Sequence, residues 1–306
     1  MRYFKLENSD GELLDITTTR LLFHDIEGIG FEEENTFVPI GRVWNLQKSD
    51  YRQTPVTGKL CFVEDEVTGK TPYTAYKEFW AFIDKTPLIL LYYPNGLNTT
   101  EYRKRVRVSK LEKSEINEYG VLDCDIEFIP YTPWYKIVRD IIEPGGGQSS
   151  NGGWIWDRGN RWRNSLDVDY STYHYKFNGS YRRTLRFISD INGNGPVKLS
   201  IHGPLVNPTW TQYVDGELVS TGGLIENSPV TIDANEILTI DNTSGVYSMT
   251  VYNTETAIER NVYEYRDFNK PCFFTLRQGV NEIVINTDNN DAIKIEAEGH
   301  IYYATV

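Results

Sequence analysis

The fold is decided by an alternating stretch at residues 121–129, Val121-Leu122-Asp123-Cys124-Asp125-Ile126-Glu127-Phe128-Ile129. Successive side chains of a β-strand point to opposite sides, so one face of this stretch carries Cys124, Ile126 and Phe128 and the other carries the acids. The pattern predicts a half-buried strand with an acidic outer face.

A second alternating stretch, residues 103–111, predicts the partner of this strand. Val106, Val108 and Leu111 alternate there with basic residues, so its outer face is positively charged. Opposite charges across two strands help to fix their register, at about 0.2–1 kcal/mol for each pair. A further hairpin is indicated by Asp10-Gly11 between residues 3–6 and 13–16, because Asp-Gly tolerates the positive φ angles of a tight turn.

One helix is predicted, over Tyr73–Lys85. Its apolar stripe is formed by Tyr76, Phe79, Trp80 and Ile83, which follow the spacing i, i+3, i+4 and i+7 of a single helix face. Thr71 is the expected N-cap, and Pro72 fits the first helical position. The first half is therefore expected to be a β-sandwich with one α-helix.

The second half contains many short strand patterns separated by turns, which favours a β-sandwich or jelly roll. Glycine, serine and asparagine dominate residues 144–153, a composition typical of a flexible connector. The predicted organisation is mainly β: an N-terminal domain at 1–143, a linker at 144–153, and a C-terminal domain at 154–306. The last strands could belong to either domain.

The charge balance excludes several classes of function. The chain has 306 residues with 31 basic and 43 acidic side chains, a net charge of −12. Binding along DNA or RNA requires clustered Lys and Arg that neutralise phosphates, and binding to anionic membranes requires a basic patch. No apolar run approaches the roughly 20 residues of a membrane helix, and residues 1–8 lack the apolar core of a secretory signal. Synthesis in the cytosol is expected.

The sequence nominates no catalytic, cofactor-binding or metal-binding residue. The four histidines are scattered, and the three cysteines lie far apart in an odd number, without a zinc or disulfide spacing. The histidines are interpreted as structural side chains and the cysteines as small buried hydrophobic residues. These seven residues are His24, His174, His202, His300, Cys61, Cys124 and Cys272.

Residues 125–135, Asp125 to Tyr135, resemble the end of the first domain in the distal tail proteins of siphophages, where a strand runs into a Trp-Tyr pair. The second half adds an ordered set of motifs. A strand followed by Gly-Pro and Asn-Pro lies within 196–208, Leu-x-Ile-Asp at 238–241, and Leu-x-x-Gly-x-Asn at 276–281. This order resembles the galectin-like domain of the same family.

The resemblance implies a structural protein of the virion tail tip or baseplate, made in the host cytoplasm and without catalytic activity. Members form a ring, typically a homo-hexamer, single or doubled, with the N-terminal domains around the lumen. The implied partners are further copies of the chain, the major tail protein, the tail hub or tail-associated lysin, and a receptor-binding protein. DNA passes through the lumen without specific binding, and nothing inserts into a membrane.

An acidic segment at residues 25–34, expected to be a solvated loop, fits such a lumen. Negative charge keeps passing phosphates from adhering. The hypothesis is that part of this loop, with Glu27, Glu32, Glu33 and Glu34, faces the lumen.

A second interpretation is a carbohydrate-binding module or host-surface adhesin. Trp154, Trp156 and Trp162 open the second half among several tyrosines, and aromatic faces can stack on sugar rings. The same rings would equally cover a sheet edge. An enzyme of an unrecognised class is a third, weaker alternative.

Overall fold

The computed structural model describes residues 2–306 except 31, 53, 66, 98–99, 144–153, 157–161, 165–183, 190–193, 226–229, 289–292 and 304. The side chains of residues 49–51, 154–156 and 162–164 are also outside the description. The chain divides into two compact units, one of Met1–Lys136 with Tyr302–Val306, the other of Ile137–Ile301. The predicted linker at 144–153 lies outside the described residues and stays a prediction.

The elements described up to residue 142 are ten strands and one helix. They are β1 Tyr3–Glu7, β2 Leu13–Asp15, β3 Leu21–Glu27, β4 Glu32–Ile40, β5 Val43–Arg52, β6 Val56–Val63, α1 Pro72–Ile83, β7 Leu88–Tyr93, β8 Tyr102–Ile116, β9 Val121–Pro130 and β10 Trp134–Ile142.

In the first unit the long strand β8 joins two sheets. Its first part pairs with β7, which continues through β1 to β2, and its second part pairs with β9, which continues through β6 to β3. All of these pairs are antiparallel. The predicted pairing of 103–111 with 121–129 is confirmed, and Lys110 lies opposite Glu127 as the charge pattern indicated.

The predicted hairpin at Asp10-Gly11 is also present, with a longer loop than a two-residue turn. The last register pair is Glu7 with Leu13, so residues 8–12 form the loop. Gly11 has the expected positive φ of 76°. The Asn8 side chain closes the loop because its Oδ1 accepts hydrogen bonds from the backbone N–H groups of Asp10 and Glu12.

The predicted helix is present and slightly shorter. The Thr71 hydroxyl accepts a hydrogen bond from the Thr74 backbone N–H at 3.3 Å, which confirms the N-cap. The predicted apolar stripe is wrong in one position, because Trp80 is 53% exposed. Phe82 packs against the core in its place, together with buried Phe79 and Ile83.

The core of the first unit lies between these sheets and the helix. It is rich in aromatic rings. Phe4 packs edge-on against Phe23 and stacks on Tyr92, and Tyr92 contacts Trp134. Tyr303 and Val306 from the end of the chain pack against the same core. The last five residues, Tyr302–Val306, therefore belong to the first unit.

A charged side chain is buried in this core. Lys104, on β8, is 4% exposed, and its Nζ lies 5.0 Å from the centre of the Trp134 ring. Burial lowers the pKa of Lys104 to about 8. A cation–π contact offsets part of the cost of burying the ammonium group.

Replacing Lys104 by methionine is therefore expected to stabilise the protein at pH 7. The folded pKa lies below the unfolded value, so folding is penalised while the amine is charged, and the penalty fades as the pH rises from about 8 to about 10.4. We expect Lys104→Met to raise the free energy of unfolding by about 2 kcal/mol at pH 7 and by much less at pH 10. Urea unfolding at both pH values measures this. Exposed Lys77→Met is the control, and equal gains for the two variants would contradict the prediction.

The elements described in the second unit are short antiparallel strands and a 3-10 turn. They are β11 Trp154–Trp156, β12 Trp162–Asn164, β13 Thr184–Ser189, β14 Gly195–His202, β15 Thr209–Val214, β16 Glu217–Gly223, β17 Glu236–Asp241, β18 Ser248–Asn253, β19 Glu259–Asn261, the turn Tyr263–Tyr265, β20 Thr275–Leu276, β21 Gly279–Asn286 and β22 Ile295–Tyr303.

Two sheets make up most of this unit. One has the strand order β13-β21-β15-β16, and the other runs β19-β18-β17-β14-β22, with β20 added beside the start of β14. Val197, Leu199 and Ile201 on β14 are buried, as their alternation predicts. The described part of the chain is thus mainly β with one α-helix, and the predicted fold class is confirmed. The galectin-like character of the second unit stays a prediction.

Candidate functional site

A two-stranded hairpin stands apart from the sheets of the first unit. β4 pairs with β5 from Glu32 opposite Arg52 to Ile40 opposite Val43, and among the described strands neither pairs with any other. Gly41 occupies the turn with a φ of 66°, which a glycine adopts without strain. At about 3.3 Å for each residue, the ribbon is about 30 Å long.

The far half of this hairpin is apolar on both faces. Phe37 lies opposite Leu46 and Pro39 opposite Trp44 on one face, whereas Val38, Ile40 and Val43 lie on the other. We call the segment Phe37–Leu46 the apolar tip. Its large side chains are exposed: Phe37 51%, Ile40 62%, Val43 62%, Trp44 67% and Leu46 55%. A contiguous exposed apolar surface of this kind is typical of a protein–protein contact.

The near half of the hairpin carries the acidic segment. The expectation of a loop is wrong here: Glu27 is the last residue of β3, and Glu32–Glu34 begin β4. All four glutamates are exposed. Because side chains alternate along a strand, Glu33 lies on the face opposite to Glu32 and Glu34. Only one of these two faces can line a lumen, and that orientation stays a hypothesis.

Both sheets of the first unit end in strands whose outer edges are only partly paired. Ile16 accepts a hydrogen bond from the Phe23 backbone N–H at 2.7 Å, so the edge of β3 is bridged near its start. β2 pairs only with β1, and β3 only with β6, among the described strands. The register of β3 shifts between His24 and Glu27, where Asp25 has a positive φ of 50°. The unpaired parts of such edges offer N–H and C=O groups, and a bulge of this kind limits their pairing with other chains.

Three neighbouring strands bring together His24, Cys61 and Asp123. Their inward-facing neighbours are buried, so these side chains lie on the outer face of the sheet. His24 Nε2 lies 3.0 Å from Cys61 Sγ, and the thiol donates a hydrogen bond to Asp123 Oδ1 at 2.8 Å. Burial, together with the Asp123 carboxylate, raises the pKa of Cys61 to about 12.

The interpretation of Cys61 as a buried hydrophobic residue is therefore wrong, whereas Cys124 and Cys272 are buried. Residues 24, 61 and 123 are far apart in the chain, so no local spacing marks them. Their meeting follows from the register that places Cys61 between Leu22 and Asp123. The alternation of β6 and β9 was the available signal, because it assigns Cys61 and Asp123 to the outer face.

The aromatic residues proposed to stack on sugars are described only in their backbone. Trp154 and Trp156 lie on β11, and Trp162 lies on β12, which pairs with it. Their side chains are outside the described residues, so sugar stacking stays a prediction. No described helix is long and apolar enough to cross a membrane.

Comparison with known proteins yields one family and several similar structures. The family model for the distal tail protein N-terminal domain matches residues 3–131. A chain in the activated baseplate of phage p2 superposes with a TM-score of 0.65 at 16% identity, over 100% of both chains. The Dit protein of phage SPP1, described as a paradigm of the hub adsorption apparatus of phages that infect Gram-positive bacteria, gives a TM-score of 0.56 at 8% identity, over 98% of this chain and 99% of that chain. No curated protein sequence matches.

Proposed function

We propose that this chain, which belongs to the distal tail protein family through its residues 3–131, forms a closed ring at the tip of a phage tail. It is a structural protein of the tail or baseplate. In the proposed role the ring is a homo-hexamer, single or doubled, which joins the tail tube to the hub below it. The role is one of assembly and requires no catalytic group.

The apolar tip of the β4–β5 hairpin is the observation that carries this proposal. An isolated two-stranded ribbon is marginally stable in water, and this one exposes six large apolar side chains, Phe37, Val38, Ile40, Val43, Trp44 and Leu46. Such a ribbon gains stability when its tip is buried against another chain. A ring requires each copy to present one surface that fits a different surface of its neighbour. A projecting hairpin that reaches the adjacent copy meets this requirement.

Charge supports the passage of DNA through the ring. The chain carries a net charge of −12, and Glu27, Glu32 and Glu34 are exposed near the base of the hairpin. Acidic side chains on a channel wall repel phosphates and prevent the adhesion that basic patches produce. We place Glu32 and Glu34, which share a face of β4, on the lumen side.

The remaining partners follow from the family. We propose the major tail protein on one side of the ring and the tail hub or tail-associated lysin on the other, with a receptor-binding protein held by the assembly. In this proposal the protein is made in the host cytoplasm and acts in the virion. DNA passes through the channel, and the protein does not recognise its sequence.

The oligomeric state of the purified chain tests the proposal. Native mass spectrometry is expected to give six or twelve copies, and negative-stain images are expected to show annular particles. Because some rings close only on their partners, the measurement is repeated with the major tail protein and the hub protein added. Single copies under both conditions would overturn the proposal.

A further inference from the structure

The outer face of the sheet β3-β6-β9 carries a cluster of three side chains that can bind a metal ion. We propose that His24, Cys61 and Asp123 bind a zinc ion through Nε2, Sγ and a carboxylate oxygen. All three ligand atoms lie within 4.8 Å of one another. The side chains are partly exposed, so an ion can enter from solvent without unfolding the sheet.

The distances are close to those that zinc requires. With Zn–S of about 2.3 Å and Zn–N or Zn–O of about 2.0–2.1 Å, tetrahedral coordination places the sulfur about 3.6 Å from each of the other ligand atoms. The present separations are 3.0 Å from Sγ to His24 Nε2 and 2.8 Å from Sγ to Asp123 Oδ1. Each must open by less than about 1 Å, which small rotations of the side chains provide.

A second carboxylate orients the histidine for this role. Asp25 Oδ2 lies 3.2 Å from His24 Nδ1, on the side of the ring away from the cluster. Histidines that bind zinc usually donate their other ring N–H to a carboxylate, which fixes the tautomer. With the proton on Nδ1, the lone pair of Nε2 points at Cys61. The positive φ of Asp25 belongs to the bulge that places it there.

When His24 is neutral, the cluster has one proton too few for its three polar contacts. When neutral His24 carries its proton on Nδ1, the single thiol proton serves Asp123 and leaves Nε2 facing sulfur without a donor. A cation shared by all three atoms removes this conflict. On binding, Cys61 releases its proton to solvent and the thiolate forms the Zn–S bond, so the thiolate and the Asp123 carboxylate balance the charge of Zn²⁺.

The donor set selects the metal. Calcium and magnesium prefer oxygen ligands alone, whereas thiolate with imidazole suits zinc. Three protein ligands leave a fourth tetrahedral position for a water molecule. The ion would connect β3, an edge strand among the described strands, to β6 and β9. It would thereby hold in place the strand that leads into the β4–β5 hairpin.

Zinc titration of the metal-free full chain tests the proposal. Isothermal calorimetry is expected to show one ion for each chain, and cobalt(II) is expected to give the near-ultraviolet charge-transfer absorption of a thiolate ligand. Cys61→Ser should lower the zinc affinity by more than 100-fold and abolish this absorption. Asp25→Asn, which leaves all three ligands in place, should lower the zinc affinity by about 10–100-fold.

Two control variants separate this site from adventitious binding. Asp125→Asn removes an acid on the same face of β9, and His202→Gln removes a histidine of the second unit; both should bind zinc as the unaltered chain does. If Cys61→Ser does not fold, the proposal is tested by the zinc affinity of His24→Gln and by the cobalt spectrum of the unaltered chain. No binding at all, or affinity that survives in Cys61→Ser or His24→Gln, would overturn the proposal.

Discussion

Replacing Phe37, Trp44 and Leu46 by serine is expected to leave a folded chain that no longer assembles into rings. These side chains share one face of the apolar tip and are each more than half exposed. Fully burying an exposed large apolar side chain contributes about 1.5–3 kcal/mol. These three side chains are between 51% and 67% exposed, so together they supply about 3–5 kcal/mol to each contact between copies. Every 1.4 kcal/mol is a factor of ten in affinity, so each contact should weaken by at least about 100-fold.

Native mass spectrometry and negative-stain imaging measure the loss, and circular dichroism checks the fold. The matched control replaces three exposed apolar side chains outside the hairpin, Leu13, Val67 and Tyr119, by serine. This control should assemble normally. Rings of unchanged stability in the hairpin variant would show that the ring contact lies elsewhere on the chain, for example at the outer edges of β2 and β3.

The hairpin that carries this prediction is also the element that sequence patterns failed to reveal. Glutamate is a weak strand former, so three successive acids at 32–34 indicate a loop. Pro39 argues against a central strand, although a ribbon whose strands each have a free edge tolerates it. An exposed ribbon lacks the alternation of buried and exposed residues that marks ordinary strands, because neither face of it packs on a core.

Sequence patterns succeed where one face of an element is buried. The alternation at 121–129 and 103–111, and the spacing of Phe79 and Ile83, are signatures of contact with a core, and the structure confirms those elements. Trp80 shows the limit of such patterns. Helical spacing indicates which residues share a face, but it does not indicate how wide the buried part of that face is. The cluster at His24, Cys61 and Asp123 depends on strand register over long separations, which single-sequence patterns do not contain.

Replacing Trp210 by alanine is expected to cause a large loss in the free energy of unfolding. Trp210, on β15, is fully buried, and its indole N–H donates a hydrogen bond to the Cys272 carbonyl oxygen at 2.7 Å. The ring lies directly over Gly222, its cross-strand neighbour, where an added Cβ would come 2.0 Å from Nε1. Truncation therefore opens a cavity and leaves a buried carbonyl without its donor. Together these should cost about 3–5 kcal/mol.

Urea unfolding measures this cost, with exposed Trp80→Ala as a control that should change the free energy of unfolding by less than about 0.5 kcal/mol. Gly222→Ala provides an independent check, because it displaces the indole from the other side while leaving Trp210 in place. If Trp210→Ala is too unstable to purify, Trp210→Phe keeps most of the ring volume and should lose stability chiefly through the missing hydrogen bond. A loss below 1 kcal/mol for both Trp210→Ala and Gly222→Ala would contradict the view that this ring anchors β15 and β16 in the second unit, because tight packing makes both substitutions costly.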